Sequence, residues 1–173
     1  MRILATMIFL LLMPFSSLAI SLVEIQYSPN QYVEIGDSAV KALYVDINSI
    51  QSVRCSPPYY TIQVTGYYID YKVNAVVQSR DVFNYDYNKS MESLIKEKQR
   101  LYPSKSKKEA TGVAIEEIKK DSGIIWSSLD RKVYSFDGTY LGKGDDALGK
   151  KVLAFSDRYY EAKYIFMKHY NLG

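Results

Sequence analysis

The segment Tyr60–Tyr71, YTIQVTGYYIDY, is the stretch of sequence that decides the fold class. Apolar or aromatic side chains recur at every second position on both sides of Gly66. This alternation of β-branched and aromatic residues with polar ones is typical of a half-buried β-strand. A glycine inside such a strand indicates either a β-bulge or the close approach of another group to the backbone. We therefore predict a long strand over this segment.

Neighbouring segments with the same alternation extend the predicted sheet in both directions. Upstream and downstream of the long strand, the predicted strands are Leu22–Gln26, Tyr32–Ile35, Ala42–Val45, Ile50–Arg54 and Val73–Tyr87. Asp46–Ile50, DINSI, is interpreted as a tight turn because Asp and Asn side chains fold back onto the backbone. The short connections leave no room for crossover helices, so the strands are expected to form an antiparallel meander.

The pattern changes to helical spacing after Asn88. We predict helices from Ser90 to Pro103, over Val113–Lys120 and over Ser156–Leu172, the last with a stripe of Tyr160, Tyr164 and Met167 and a closing Gly173. Further strands are predicted over Ile124–Ser127, Lys132–Phe136 and Thr139–Leu141, with a hairpin turn at Asp137-Gly138 and a loop over Gly142–Asp146. The predicted fold class is α+β: an antiparallel β-sheet meander with inserted helices and a C-terminal amphipathic helix.

The first residues have the composition of a secretory signal peptide. One positive charge at Arg2 precedes the apolar run Ile3–Met13, and small residues at Ser17 and Ala19 fit the positions before a cleavage site. An uncleaved membrane anchor is the alternative, but the apolar run is shorter than the roughly 20 residues that span a bilayer. We predict a cleavable signal over residues 1–19, a single α+β domain over residues 20–173, and no transmembrane segment after cleavage.

Composition limits the classes of partner and the compartment. A formal net charge of +3 on 173 residues gives no strong global field, so no nucleic-acid partner is expected. The single cysteine, Cys55, cannot form an internal disulfide, so an exported domain must be held together by packing alone. This combination of export and a lone cysteine favours a bacterial source.

Tyrosine is the unusual feature of the composition, with seventeen residues against one tryptophan. Tyrosine suits both strand faces and binding surfaces, because its ring is apolar and its hydroxyl is polar. The candidate binding residues are Tyr67, Tyr68, Tyr71, Tyr85 and Tyr87. One face of each strand must be core, so only part of this set is expected to be available to a protein or glycan at the cell surface.

No motif for catalysis or for a cofactor or metal is convincing. Gly144–Lys150 fits the frame of a phosphate-binding loop, but the next residue is Lys151 in place of the hydroxyl that would hold magnesium. His169 is the only histidine, so a Cys55–His169 dyad is the remaining arrangement for nucleophilic catalysis. We predict no catalytic residues, no cofactor and no metal site.

A basic stretch covers the second half of the first predicted helix and the loop after it: Lys96, Lys98, Arg100, Lys105, Lys107 and Lys108. The preferred interpretation is a solvated helix face and loop. The alternative is contact with anionic surface polymers or lipid head groups.

The phrase Leu43–Ile50, LYVDINSI, resembles one found in small exported bacterial proteins of the surface-adhesin protein E type. The similarity covers at most residues 22–88. The order of a signal peptide, early strands, this phrase and a tyrosine-rich strand along the chain is also similar. The resemblance implies an envelope or surface protein built on a small antiparallel sheet, such as an adhesin, and implies no enzyme.

These observations favour an exported, non-enzymatic bacterial cell-envelope or surface protein that acts as a binding or adhesin module. Two alternatives remain open: a small exported enzyme of hydrolase type, and an envelope assembly factor.

Overall fold

The computed structural model describes residues 20–104 and 106–171, so the predicted signal peptide lies outside the described residues. These described residues form four α-helices and seven strands, with a short 3₁₀ turn at Tyr87–Lys89. In chain order they are α1 (Leu22–Tyr27), β1 (Tyr32–Ser38), β2 (Lys41–Ser56), β3 (Tyr59–Asp70), β4 (Ala75–Asp86), α2 (Met91–Leu101), α3 (Lys107–Lys120), β5 (Ile124–Ser135), β6 (Tyr140–Lys143), β7 (Ala147–Lys151) and α4 (Asp157–Tyr170).

One antiparallel sheet contains all seven described strands. Its order is β1-β2-β3-β4-β5-β6, and β7 pairs with β5 at the same edge as β6. Helices α2 and α3 are inserted between β4 and β5, and α4 follows the last strand. The predicted α+β class, an antiparallel meander with inserted helices and a C-terminal helix, is therefore confirmed.

Two hydrophobic cores lie on opposite faces of this sheet. Ile62 and Val64 of β3 point to the larger core, which α2, α3 and α4 cover. Tyr67 and Ile69, further along the same strand, point to a smaller core covered by α1. We call these the helical face and the α1 face. Side chains alternate between the two faces of a strand. Even-numbered residues of β3 are in the core before Gly66 and odd-numbered residues after it, so the covered face changes at the middle of the strand.

Leu22–Gln26 was predicted as a strand, and this prediction is wrong because the segment is the helix α1. Ser21 caps the helix by accepting a hydrogen bond from the backbone N–H of Glu24. Ile25 is fully buried in the smaller core. A short run with apolar residues three apart fits helical spacing as well as strand alternation, and here the cap favours the helix.

Strands β2 and β5 are each longer than predicted. The predicted turn after Asp46 exists, since Asn48 N–H donates to Asp46 Oδ1, but it forms a bulge within β2. The two segments predicted on either side of Asp130 join into β5, with Asp130 in the left-handed region at φ 54°. The hairpin turn predicted at Asp137-Gly138 is confirmed, with Gly138 at φ 92°.

The loop predicted over Gly142–Asp146 is shorter in the structure, because β6 extends to Lys143. Ala147–Lys151 forms β7 and pairs with β5. The pairing occupies backbone groups that a phosphate-binding loop would need to present to its ligand.

The helix termini follow their capping residues. The caps predicted at Ser90 and Ser156 are confirmed. Helix α3 begins earlier than predicted, because Ser106 and Glu109 form a capping box at its start. Helix α4 ends at Asn171 in the left-handed conformation, whereas Gly173 lies outside the described residues.

The stripe predicted for the last helix is only partly buried. Tyr160 is 49% exposed, whereas the buried side chains of α4 are Tyr159, Glu161, Ala162, Ile165 and Phe166. Tyr164 packs against the larger core and Met167 is half-buried, so the buried face of α4 is centred beside the predicted stripe, on Ile165 and Phe166.

Gly66 is a point of close approach and not of a bulge, since its pairing with β4 is regular. A Cβ atom at this position would lie 2.6 Å from Asp81 Oδ2. The absence of a side chain on β3 therefore makes room for a buried carboxylate on β4.

Gly66→Ala is expected to lower the free energy of unfolding by about 1–3 kcal/mol, because the new methyl group must displace Asp81. Gly112→Ala is the matched control: Gly112 lies inside α3 with no atom within 4 Å of its added Cβ, so alanine should stabilise by about 0.5–1 kcal/mol. Urea unfolding of both variants checks this. Equal effects of the two substitutions would contradict the proposed close packing.

Candidate functional site

A groove of about 600 Å³ opens on the helical face, between the α2–α3 pair and α4. Its base is formed by the end of β4 and the beginning of β5. Ligand pockets of this size, lined mostly by apolar groups with a few polar ones, are common small-molecule sites. The groove is therefore the first candidate for a functional site.

The floor of the groove is a cluster of aromatic rings around Phe166 of α4. The Tyr87 ring stacks on Phe166 at 5.5 Å between ring centroids, and Tyr85 lies 5.0 Å away. Tyr60 and Tyr170 close the far side of the cluster at 5.2 and 4.8 Å. Such ring pairs prefer these tilted or offset arrangements, so the floor is held in place by mutual packing.

Hydrogen bonds fix two of these rings further. The Tyr85 hydroxyl donates to the carbonyl oxygen of Ala162 on α4, and the Tyr87 hydroxyl donates to Glu92 Oε2 on α2. Burial raises the pKa of Tyr85 well above its ordinary value, so its hydroxyl stays protonated and remains a donor. The floor consequently links β4 to two of the surrounding helices.

The walls of the groove are apolar and include two flexible side chains. The apolar wall residues are Met91 and Ile95 of α2, Ile118 of α3, Ile124 of β5, and Tyr159 and Met167 of α4. Methionine adapts its shape to irregular apolar partners, so these walls can adjust to what they contact.

The rim carries three lysines, Lys96, Lys107 and Lys163. Lys96 Nζ lies 2.6 Å from Glu92 Oε1 and is therefore paired. Lys107 and Lys163 are exposed and form no ion pair with any residue in the described ranges. The rim therefore presents uncompensated positive charge beside an apolar floor.

The five candidate tyrosines do not form one surface. Tyr85 and Tyr87 line the groove, and Tyr68 lines a separate polar cavity of about 280 Å³ near Lys41 and Asp157. Tyr67 is buried in the core of the α1 face, and Tyr71 packs on Phe136 on that same face. Tyr67 and Tyr85 are 4% and 7% exposed, so these two rings are part of the packing, and the role of the set in binding stays a prediction.

A second feature lies under α4, next to the groove: a buried cluster of three charged side chains. Asp81 of β4 and Glu161 of α4 are fully buried. Arg158 Nη1 donates to both, at 2.9 Å to Asp81 Oδ2 and 2.6 Å to Glu161 Oε2. Ser79 Oγ donates to the other oxygen of Asp81, and the Trp126 ring stacks on the guanidinium at 4.3 Å.

One cation serves two carboxylates in this cluster, so its charge is not balanced. Burial raises the pKa of Glu161 to about 7, although the charge of Arg158 acts in the opposite direction. Burial also lowers the pKa of Arg158, but the charges of Glu161 and Asp81 outweigh it and leave that pKa raised. Glu161 Oε1 and Trp126 Nε1 are buried polar atoms without a hydrogen-bond partner in the described structure.

The sequence did not single out Asp81, Arg158 or Glu161. The available signal was local: Arg158 and Glu161 lie three residues apart, and the glutamate interrupts an apolar helix face. Their partner Asp81 is 77 residues away from Arg158 in the chain, so no local sequence pattern indicated this contact.

Cys55 and His169, the pair considered for nucleophilic catalysis, lie at the same end of the molecule. Cys55 is exposed near the end of β2 and neighbours Tyr170, whose ring contacts His169 at 4.7 Å. No hydrogen bond joins Cys55 to His169 among the residues described. Nor do those residues contain a group of three or more His, Cys, Asp or Glu side chains placed to hold a metal ion.

The basic stretch separates into different environments. Lys96 and Lys107 reach the rim of the groove, whereas Lys98 is 8% exposed and pairs with Glu117 of α3 at 2.7 Å. Lys105 lies outside the described residues. The stretch is therefore not one solvated face, because Lys98 joins α2 to α3.

Comparison of the chain with protein-family models, with curated proteins and with solved structures yields no significant match. The resemblance of Leu43–Ile50 to the surface-adhesin protein E type accordingly stays a prediction. No helix among the described residues has the length and apolar character needed to span a bilayer.

The raised pKa of Glu161 predicts a pH-dependent stability. Between the ordinary glutamate value of 4.5 and about 7, the folded state keeps a proton that the unfolded chain has lost. The free energy of unfolding should therefore fall as pH rises through this window, by about 3 kcal/mol. Urea unfolding at pH 5 and pH 8 should show this fall in the native protein.

Glu161→Gln should remove most of that pH dependence, because glutamine does not titrate. Glu97→Gln is the control, since Glu97 is an exposed glutamate on α2. A pH dependence that is unchanged in Glu161→Gln would show that another group causes it.

Proposed function

We propose that this chain is an exported, non-enzymatic binding protein of a bacterial cell envelope, and that its ligand inserts into the groove on the helical face. The observation that carries the proposal is the groove itself: an open space of about 600 Å³ whose aromatic floor is fixed by packing and hydrogen bonds. A site formed before the ligand arrives avoids much of the entropic cost of ordering side chains on binding.

The position of the groove supports a binding role. It lies where three helices meet one face of the sheet, so each wall belongs to a separate element supported by the larger core. A ligand that fills the groove would cover the apolar surface of Met91, Ile95 and Met167. Removing this surface from water makes binding more favourable.

The sequence supports the remaining parts of the proposal. The charge, apolar run and small residues of positions 1–19 favour export, and the resemblance at Leu43–Ile50 favours an envelope or surface protein. The lone cysteine of the chain favours a bacterial source.

Export is tested by treating intact cells of the source organism with a protease that does not cross membranes. Loss of the protein from intact cells is expected if it lies on the surface, and loss only after the envelope is opened if it lies inside the envelope. Recovery of the uncleaved 173-residue chain in the cytoplasm would contradict the proposed export.

Binding is tested with the neutral dye Nile red, whose fluorescence rises in apolar sites. Ile95→Trp is expected to reduce its binding at least fivefold, because the larger ring fills the groove. Ile125→Trp is the matched control on an exposed position of β5 that is not part of the groove. Circular dichroism and thermal unfolding verify that both variants fold, and equal binding by the two variants would contradict the proposed site.

A further inference from the structure

We infer that the ligand of the groove is a single-chain fatty acid, bound with its hydrocarbon chain on the aromatic floor and its carboxylate at the lysine rim. This inference rests on the proposed function of the groove and adds the chemical class of the ligand. It follows from three properties of the site: its hydrogen-bonding groups, its charge and its size.

Three hydroxyl groups at the floor and base of the groove already have partners within the protein, and Tyr159 adds a further hydroxyl at the wall. Tyr85 donates to Ala162, Tyr87 donates to Glu92, and Ser122 Oγ donates to the carbonyl of Val152 at 2.6 Å. A sugar buried against this floor would lose hydrogen bonds to water without regaining them, which costs free energy for each hydroxyl. A hydrocarbon chain has no such requirement, so the floor favours a lipid chain over a glycan.

The rim selects the charge of the ligand. Lys107 and Lys163 have no ion-pair partner in the described structure. The groove also has two carboxylates, but Glu92 is engaged by Lys96 and Tyr87, and Asp86 lies 3.9 Å from Lys89 Nζ. A negatively charged head group therefore gains attraction at the rim, whereas a quaternary ammonium group is repelled. A carboxylate accepts hydrogen bonds from a lysine ammonium group and meets this requirement with few atoms.

The size of the groove favours a small molecule over a peptide helix. Two turns of an α-helix, about seven residues, are about 10 Å wide and 11 Å long, which corresponds to roughly 800 Å³. The groove of about 600 Å³ would leave such a helix only partly seated. A single hydrocarbon chain is narrower and can follow the apolar path between Met91 and Met167.

The inference is tested by displacement of Nile red with three probes that share a twelve-carbon chain, each below its micelle concentration. These probes are dodecanoate, 1-dodecanol and dodecyltrimethylammonium. Dodecanoate should displace the dye at the lowest concentration and dodecyltrimethylammonium at the highest. The chain is constant, so the order reports the head group alone.

The lysine rim is tested with the double variant Lys107→Gln/Lys163→Gln. Its affinity for dodecanoate should fall roughly three- to tenfold, as expected for two exposed charge pairs, while its affinity for 1-dodecanol stays within about twofold. Lys143→Gln/Lys150→Gln is the matched control, because these exposed lysines lie on β6 and β7. That control should bind dodecanoate like the native protein.

The outcomes separate the two levels of the proposal. Equal displacement by the three probes, or an unchanged affinity for dodecanoate in the rim variant, would overturn the fatty-acid inference and leave the binding groove in place. Tighter binding of an acidic helical peptide than of dodecanoate would also overturn it. Failure of Nile red to bind the native protein, or binding that Ile95→Trp does not reduce, would overturn the proposed function itself.

Discussion

The docking of α4 onto the sheet depends on one guanidinium group between two buried carboxylates. Arg158 joins Asp81 on β4 to Glu161 one turn further along its own helix. Loss of the cation would leave two buried carboxyl groups without their partner, and breaking a buried ion pair typically costs about 3–5 kcal/mol. The contact also fixes the register of α4, which places Phe166 at the centre of the groove floor. Gly66 takes part through its missing side chain, which leaves space for Asp81.

The two cores explain why so much tyrosine is needed. Each half of the long strands is covered on a different face, so a ring buried in one half is on the opposite face from a ring buried in the other half. Tyr67 fills the core under α1, whereas Tyr85 fills the core under α4. Gln51 and Gln63, which bond to each other, lie on the exposed remainder of the sheet. Most of the candidate rings are therefore part of the packing. Two of them, Tyr85 and Tyr87, also line the groove.

Local chemistry made much of the fold predictable. The alternation in Tyr60–Tyr71 and the caps at Ser90 and Ser156 are properties of short segments, and the structure contains them. The short segment that forms α1 fits both helical spacing and strand alternation, so the pattern alone could not show which of the two it forms. The site was harder to predict, because alternation shows which tyrosines share a face but not which face a helix covers. The contact of Arg158 with Asp81 depends on the whole topology, which no local pattern encodes.

The order of the elements along the chain has a consequence for synthesis. Helix α4 follows every strand of the sheet, so the meander emerges from the ribosome before the helix that completes its larger core. Until then Asp81 has no cation, and Phe83 on the same strand is open to solvent. Neighbouring strands can pair early because their contacts are local, but the helical face stays unprotected. A partial chain that lacks α4 therefore exposes apolar surface that the complete chain buries.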